Sequence, residues 1–436
     1  MRPKLLLTIA LAAAIQAAAA DPAPLTLGQT IDTVLARYPT VAAAQSAVDA
    51  ARARTMQSNA DRLPQISGQA NYTYNSLRPY VAISIPGLPP GAIYENVQDA
   101  YGVSVSARQL LTDFGRTDSI VEMARSGQIT AKDALEQTRH QLGYQAIQSF
   151  YGVLLLRRSA EVAREEIGSL EEALRISQQK FSAGSATKFD VLTTQVRLAN
   201  SRNQLTDTLA AGEKQENGLR QLLGIDHAQP VSISGEFNAD APVIEENTAI
   251  ASGLSNRPEM KVARDDEQTA RLKLDAADRG GRPRLDAQVT GGLENGVIPS
   301  LYDNKGYVVA GLALQVPIFT GRRILGDRLE AGAGVRSAQA RERELAQVIT
   351  AEVADSYSDL RAARQRLATS GTLVDQASEA LSLAQTRYKN GVITNFELLD
   401  AQSSLRLAEL TRLQARYDCV LAGQAVARAA GVAPQG

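Results

Sequence analysis

The sequence predicts a mainly α protein with a membrane β-barrel portion, built from one unit of two strands plus a long helical hairpin that occurs twice. Three observations predict it. The two halves of the chain are similar to each other, heptad spacing runs through long stretches without proline, and an alternating segment precedes each heptad stretch.

The N-terminus has the form of a secretory signal over residues 1–20. Arg2 and Lys4 form a charged start, Leu5 to Ile15 a short apolar core, and Ala18-Ala19-Ala20 a small-residue cleavage site before Asp21. No Cys lies near that site, so a lipid anchor of the bacterial lipoprotein type is not expected. No later stretch approaches the ~20 continuous apolar residues that a membrane helix needs.

Composition excludes several functions. With 46 basic and 47 acidic residues the net charge is −1, so there is no cationic surplus for a phosphate backbone and no nucleic-acid partner is expected. The chain holds 2 His and 1 Cys, too few for a metal cluster, a catalytic triad or an intrachain disulfide. No nucleotide-binding loop stands out, so neither an enzyme nor a cofactor is expected. Aromatics make up 5% of the chain and Trp is absent, which suits long helices packed through small side chains.

The duplication fixes the order of elements. Arg37-Tyr38-Pro39 pairs with Asn256-Arg257-Pro258 at an offset of 219, as does Leu63-Pro64-Gln65-Ile66 with Arg282-Pro283-Arg284-Leu285. Gln109 to Arg116 matches Gln315 to Arg322 at an offset of 206, so the first half carries 13 extra residues near the Pro-rich stretch Arg78 to Pro90. Beyond that the offset is 207, as far as Gly224 and Gly431. The domains are therefore 21–224 (a helix, two strands and a helical hairpin), a connector at 225–247, and the second repeat with a short tail at 248–436.

The hairpins follow from proline and heptads. No proline occurs between Gly91 and Gln229, or between Ile318 and Ala433, which permits long helices. Val353, Leu360, Leu367, Val374, Leu381 and Tyr388 recur every seven residues, with Ser356, Ala363, Ser370, Ala377 and Ala384 three places on. Subtracting 207 gives Ala146, Val153, Ala160, Ile167, Leu174 and Phe181, all apolar, so one large-plus-small seam serves both halves. From Arg116 to Phe181 the helix would be ~100 Å long at 1.5 Å per residue. A returning helix from Thr187 to Leu223 carries its own seam in Val191, Leu198, Leu205 and Leu219. Cys419 lies on the corresponding seam with Leu398 and Val426, where packing is its expected role.

Ahead of each long helix the period falls to two. Ile66, Gly68, Ala70, Tyr72 and Tyr74 alternate with polar residues, as do Leu285, Ala287, Val289, Gly291 and Leu293. Such alternation fits strands with lipid on one face and water on the other. Tyr101 to Arg108 alternates less cleanly. Tyr307 to Val316 is apolar on both faces, so its orientation is taken from the repeat. Tyr72, Tyr74, Tyr101 and Tyr307 would sit in an interfacial girdle. Four strands leave open edges that cannot face lipid, and single-chain barrels begin at about 8 strands, so copies must pool their strands.

The turns after the long helices converge on one motif, Lys180-Phe181-Ser182-Ala183-Gly184-Ser185-Ala186-Thr187-Lys188-Phe189-Asp190 and Arg387-Tyr388-Lys389-Asn390-Gly391-Val392-Ile393-Thr394-Asn395-Phe396-Glu397. Glycine can end one helix, threonine can cap the next, and a carboxylate three residues later suits its positive end. This doubled motif, with the signal, strand pairs, long helices and duplication, resembles the TolC-type outer-membrane efflux proteins. The resemblance implies a homotrimer, a trimeric α/β-barrel channel with twelve strands in outer-membrane lipid and helices in the periplasm. It also implies two partners, a periplasmic adaptor (membrane fusion protein) and an inner-membrane pump or ABC transporter. Drug efflux, metal efflux and type I protein secretion all use such ducts.

By the same resemblance Asp190, Tyr388, Glu397 and Asp400 form the periplasmic gate, and Gly184, Thr187, Gly391 and Thr394 form the turns that dock the adaptor. The family's gate arginine falls on Ile393, a departure that leaves Arg387, Lys188 or Lys389 as cations for that role. Helix capping explains the carboxylates equally well. The rival function is a periplasmic adaptor, a coiled-coil interaction protein. Adaptors carry one hairpin inside a split β-domain, whereas this chain carries two, each preceded by alternating strands.

Overall fold

The structure, a computed structural model, describes residues 24–84, 86–87, 89, 91–94, 96–238, 244–297 and 301–434, so the signal at 1–20 lies outside it. Helices α1 (Leu27–Arg37) and α2 (Pro39–Ala60) lead into strands β1 (Gln65–Tyr74), β2 (Tyr80–Ile83), β3 (Gly91–Tyr94) and β4 (Asp99–Thr112). The hairpin α3 (Arg116–Ser182) and α4 (Lys188–Leu223) follows. The second repeat runs α5 (Glu246–Asn256), α6 (Pro258–Asp278), β5 (Arg284–Glu294), β6 (Lys305–Gln315), α7 (Arg323–Lys389) and α8 (Asn395–Ala429). Both α2 and α6 begin on the proline of the repeated motif, at a position where the missing N–H is not needed. The two long helices have 67 residues each. No described helix is long and apolar enough to cross a membrane.

Packing divides the chain into two compact units, each drawing on both repeats. One holds the described residues up to Ala42, Thr138–Gly253 and Thr350 onward; the other holds Ala43–Gln137 and Leu254–Ile349.

In the first unit the expected seam is the buried stripe. Val353, Leu360, Ala363, Ser370, Ala377 and Tyr388 are all buried, and Val353, Leu360 and Ala363 cluster with Cys419, Ala422 and Val426 of α8. Cys419 is therefore a packing residue. Ala146, Val153 and Ala160 are buried likewise, in or beside a core around Ile31, Val34 and Phe150. The connector joins this unit through Leu25, which donates its N–H to Ser232 O at 2.8 Å and accepts from Ser234 at 3.0 Å. Leu367, Val374, Leu381 and Ala384 of the expected seam are half-buried, and the largest departure is near the turn, where Phe181 is 47% exposed while its counterpart Tyr388 is 6% exposed. There the buried face of α3 rotates to Leu170, Ala173 and Ser177, because it packs against the second hairpin.

The second unit holds an antiparallel sheet in the order β1-β4-β5-β6, with β1 and β6 at its open edges. The register sets Gly68, Val105, Gly291 and Val308 in one row, and Ala70, Val103, Leu293 and Gly306 in a second row on the same face. The opposite face carries Ser67, Ser106, Thr290 and Val309, then Gln69, Ser104, Gly292 and Tyr307. One face is thus apolar across all four strands. On the other, Ser106 and Thr290 share a hydrogen bond at 3.1 Å, and Arg108 and Arg284 both hold Asp286, at 3.2 and 2.8 Å.

Two expectations need correction. The first repeat holds four strands where two were expected, since β2 and β3 form a separate antiparallel hairpin in the Pro-rich insertion. Moreover, Tyr307 lies on the polar face, opposite to Tyr72 and Tyr101, so it does not join them in a girdle. The offset of 206 matches it to Tyr101, but β4 carries a bulge: Leu110 pairs with Asp286 and Thr112 with Leu285, leaving Leu111 as an extra residue. One extra residue exchanges the faces of everything beyond it.

Candidate functional site at the helix turns

Both hairpin turns are built as the motif requires. Gly184 and Gly391 hold φ of 72° and 77°, a left-handed conformation that glycine adopts without steric cost. Thr187 and Thr394 then cap the returning helices in reciprocal boxes. Asp190 N donates to Thr187 Oγ1 at 3.2 Å, while Thr187 N and Oγ1 donate to Asp190 Oδ2 at 2.9 and 2.7 Å. Glu397 repeats the arrangement with Thr394, at 3.3, 2.7 and 2.8 Å. The Thr394 backbone N–H, and then its hydroxyl, hold the exposed Glu397 carboxyl below the usual range, so it is ionised at neutral pH. Capping and a permanent charge therefore coexist on this side chain.

The remaining predicted residues divide. Asp400 is exposed on α8, one turn beyond Glu397. Tyr388 is buried on the last turn of α7, beneath Lys180 of the other hairpin. Lys180 Nζ sits 3.7 Å from the Tyr388 ring centroid and donates to Tyr388 O at 2.8 Å. The cation that meets Tyr388 is thus Lys180, whereas Arg387, Lys188 and Lys389 are exposed. Ile393 is half-buried and carries no charge to offer Asp190.

A second tie was absent from the sequence reading. Asn395, 4% exposed, donates from Nδ2 to Asp190 O at 3.2 Å and to Thr194 Oγ1 at 3.0 Å, and accepts from Ser177 Oγ at 3.3 Å. One amide thereby joins α8 to both helices of the first hairpin. Nearby, Arg197 donates to Leu399 O at 2.9 Å and lies 5.7 Å from the Phe396 ring centroid. Arg406 pairs with Glu166 at 3.0 Å, linking α8 to α3. Outside this network the turns expose apolar side chains, with Phe189, Val392 and Phe396 at 60% exposure or more. Among the described residues no group of His, Cys, Asp and Glu is placed to hold a metal ion.

Long paired helical hairpins, each preceded by two strands of one amphipathic sheet, define a channel subunit of the helical-duct class. The chain belongs to the family described as "Outer membrane efflux protein", which it matches over residues 30–225 and 249–432. It is similar to the outer membrane protein OprJ of Pseudomonas aeruginosa, 26% identical over 83% of this chain and 75% of that one. The alkaline protease secretion protein AprF of the same species is 25% identical over 77% of this chain and 70% of its own. Among solved structures, the outer membrane protein VceC of Vibrio cholerae superposes with a TM-score of 0.77 at 20% identity, covering 94% of this chain and 96% of that chain. The protein is an outer-membrane channel of the TolC-like kind that serves efflux pumps and type I secretion, and not an enzyme.

Proposed function

We propose that three copies of this chain close a twelve-stranded barrel in the outer membrane and extend their helices into the periplasm. There the turns at Gly184, Thr187, Gly391 and Thr394 meet a periplasmic adaptor, and the duct passes substrates from an inner-membrane pump. The observation that carries this reading is a four-stranded sheet with an apolar face across every strand and two open edges. Open edges are not tolerated in lipid, so β1 of one copy pairs with β6 of the next. Exposed Phe189, Val392 and Phe396 supply apolar contacts for an adaptor. The repeats keep the boundaries 21–224 and 248–436, with 225–247 as a belt between them.

Asp190, Tyr388, Glu397 and Asp400 form the gate in this reading. Threefold symmetry sets six carboxylates from Glu397 and Asp400 around the entrance, and rings of carboxylates favour cations. The purified mature protein is expected to have the mass of three chains in detergent and to prefer cations in planar bilayers. Changing Glu397 and Asp400 together to Ala should sharply reduce that preference while leaving the mass unchanged. A monomer that needs no detergent would end the channel reading, whereas unchanged selectivity in a trimer would end only the gate assignment.

A further inference from the structure

Gln402 of α8 is 8% exposed, and its Oε1 has no hydrogen-bond partner among the described residues. A buried amide oxygen without a donor destabilises the fold, so its presence calls for an explanation. The side chain borders two grooves. Against α4 the neighbouring donors are engaged: Arg197 with Leu399 O at 2.9 Å, and Arg406 with Glu166 at 3.0 Å and Gln204 Oε1 at 2.8 Å. Against α3 and α7 lies a wider groove of about 560 Å³, a size that holds small ligands. It follows α3 from Glu165 to Ile176, roughly 16 Å at 1.5 Å per residue.

Charge along this part of α3 is uneven. Glu161 pairs with Arg158, Glu166 with Arg406, Glu171 with Arg202 and Glu172 with Arg175, at 2.5 to 3.0 Å. Glu165 has no ion pair among the described residues. Its charge instead adds to burial in pushing the Glu409 carboxyl of α8 up. Lys389 of α7 also lines the groove, but its charge counts toward Glu172, which the Arg175 hydrogen bond already holds below the usual range. We propose that this groove binds a linear polyamine, whose ammonium groups donate to Gln402 Oε1 and pair with Glu165. An ammonium carries donors and no acceptor, which suits an oxygen without a donor and a carboxylate without a cation. Ala173, Ile176 and Leu398 offer apolar lining to the methylene chain between the charges. A neutral ligand would leave Glu165 unpaired, and an anion would meet it with like charge. All these residues belong to one compact unit of one chain, so the site does not depend on how many copies form the channel.

The test is calorimetric titration of the full protein in detergent with spermidine at low salt. Saturable binding of one spermidine per chain is expected. Gln402→Leu removes a hydrogen bond to a charged group and should weaken binding about tenfold. Glu165→Gln, an exposed change that the fold tolerates, should weaken it by a similar factor. Changing Glu397 and Asp400 together to Ala should keep the affinity within about twofold, because neither lines this groove. Without spermidine, Gln402→Leu should melt no lower than the parent, since it removes an unpartnered buried oxygen. No saturable binding, affinity unchanged in Gln402→Leu or in Glu165→Gln, affinity lost with Glu397 and Asp400, or a lower melting temperature in Gln402→Leu would each overturn the proposal. None of these results bears on the trimer mass or on the ion preference of the gate.

Discussion

Val308→Arg should prevent the chain from reaching the outer membrane, while Val309→Arg, one residue along, should assemble nearly as well as the parent. The two valines are 76% and 60% exposed in the single chain, so burial does not separate them. Register does. Val308 shares its row with Gly68, Val105 and Gly291 on the apolar face, whereas Val309 shares its row with Ser67, Ser106 and Thr290. An arginine facing the middle of the bilayer from a barrel strand costs ~2–4 kcal/mol, falling to ~0–1 kcal/mol near the interfaces. In the proposed trimer, three copies incur that cost together. An arginine on the inner face remains in water and should alter conductance instead. The measurement is recovery of trimer from outer-membrane fractions. Equal recovery of the two variants, or the reverse order, would remove the orientation assigned to β6 and with it the twelve-strand wall.

This pair of substitutions also marks where sequence patterning stops being informative. The seam of α7 was legible because Val353 to Tyr388 obey one spacing over five heptads, and packing punishes every exception. The turns were legible because a left-handed glycine, a threonine cap and an acidic residue each solve a local problem that leaves a local mark. The orientation of β6 was not, because Tyr307 to Val316 is apolar on both faces and the deciding feature is a bulge in a different strand. A single extra residue near Leu111 has no compositional signature. The hairpin within the insertion was masked by prolines that mark the loop and not its flanks.

Asn395 was missed for a related reason. It follows a capping threonine at the first position of a helix, where a short polar residue is unremarkable. Its counterpart in the first repeat is Lys188, so the duplication offers no hint of its role. Only the fold sets its amide against Asp190 O, Thr194 Oγ1 and Ser177 Oγ in a buried site. The tie it makes is neutral, and the Lys180 ammonium meets the Tyr388 carbonyl, so neither contact uses a carboxylate. Salt and moderate acid, which weaken exposed ion pairs, should therefore leave the two hairpins joined at these contacts.

Removing the amide should open the gate. In Asn395→Ala the buried Ser177 hydroxyl loses its acceptor, while the Thr194 hydroxyl and the Asp190 carbonyl keep each other at 2.9 Å and lose only their second partner. Leaving a buried polar group unsatisfied costs ~1–3 kcal/mol, and separating the two hairpins lets water relieve it. In the proposed gate that cost falls on the arrangement in which the hairpins are joined. Since ~1.4 kcal/mol is a tenfold change in an equilibrium, resting conductance in planar bilayers should rise roughly tenfold. Asn395→Asp keeps the acceptor for Ser177 but sets a carboxylate against two acceptors, so it should open the gate at least as far at neutral pH and less in acid. Thr394→Ala is the control, because it weakens the adjacent cap without touching the tie. A resting conductance in Asn395→Ala within about twofold of the parent, in protein that still has the trimer mass, would mean that closure is held elsewhere.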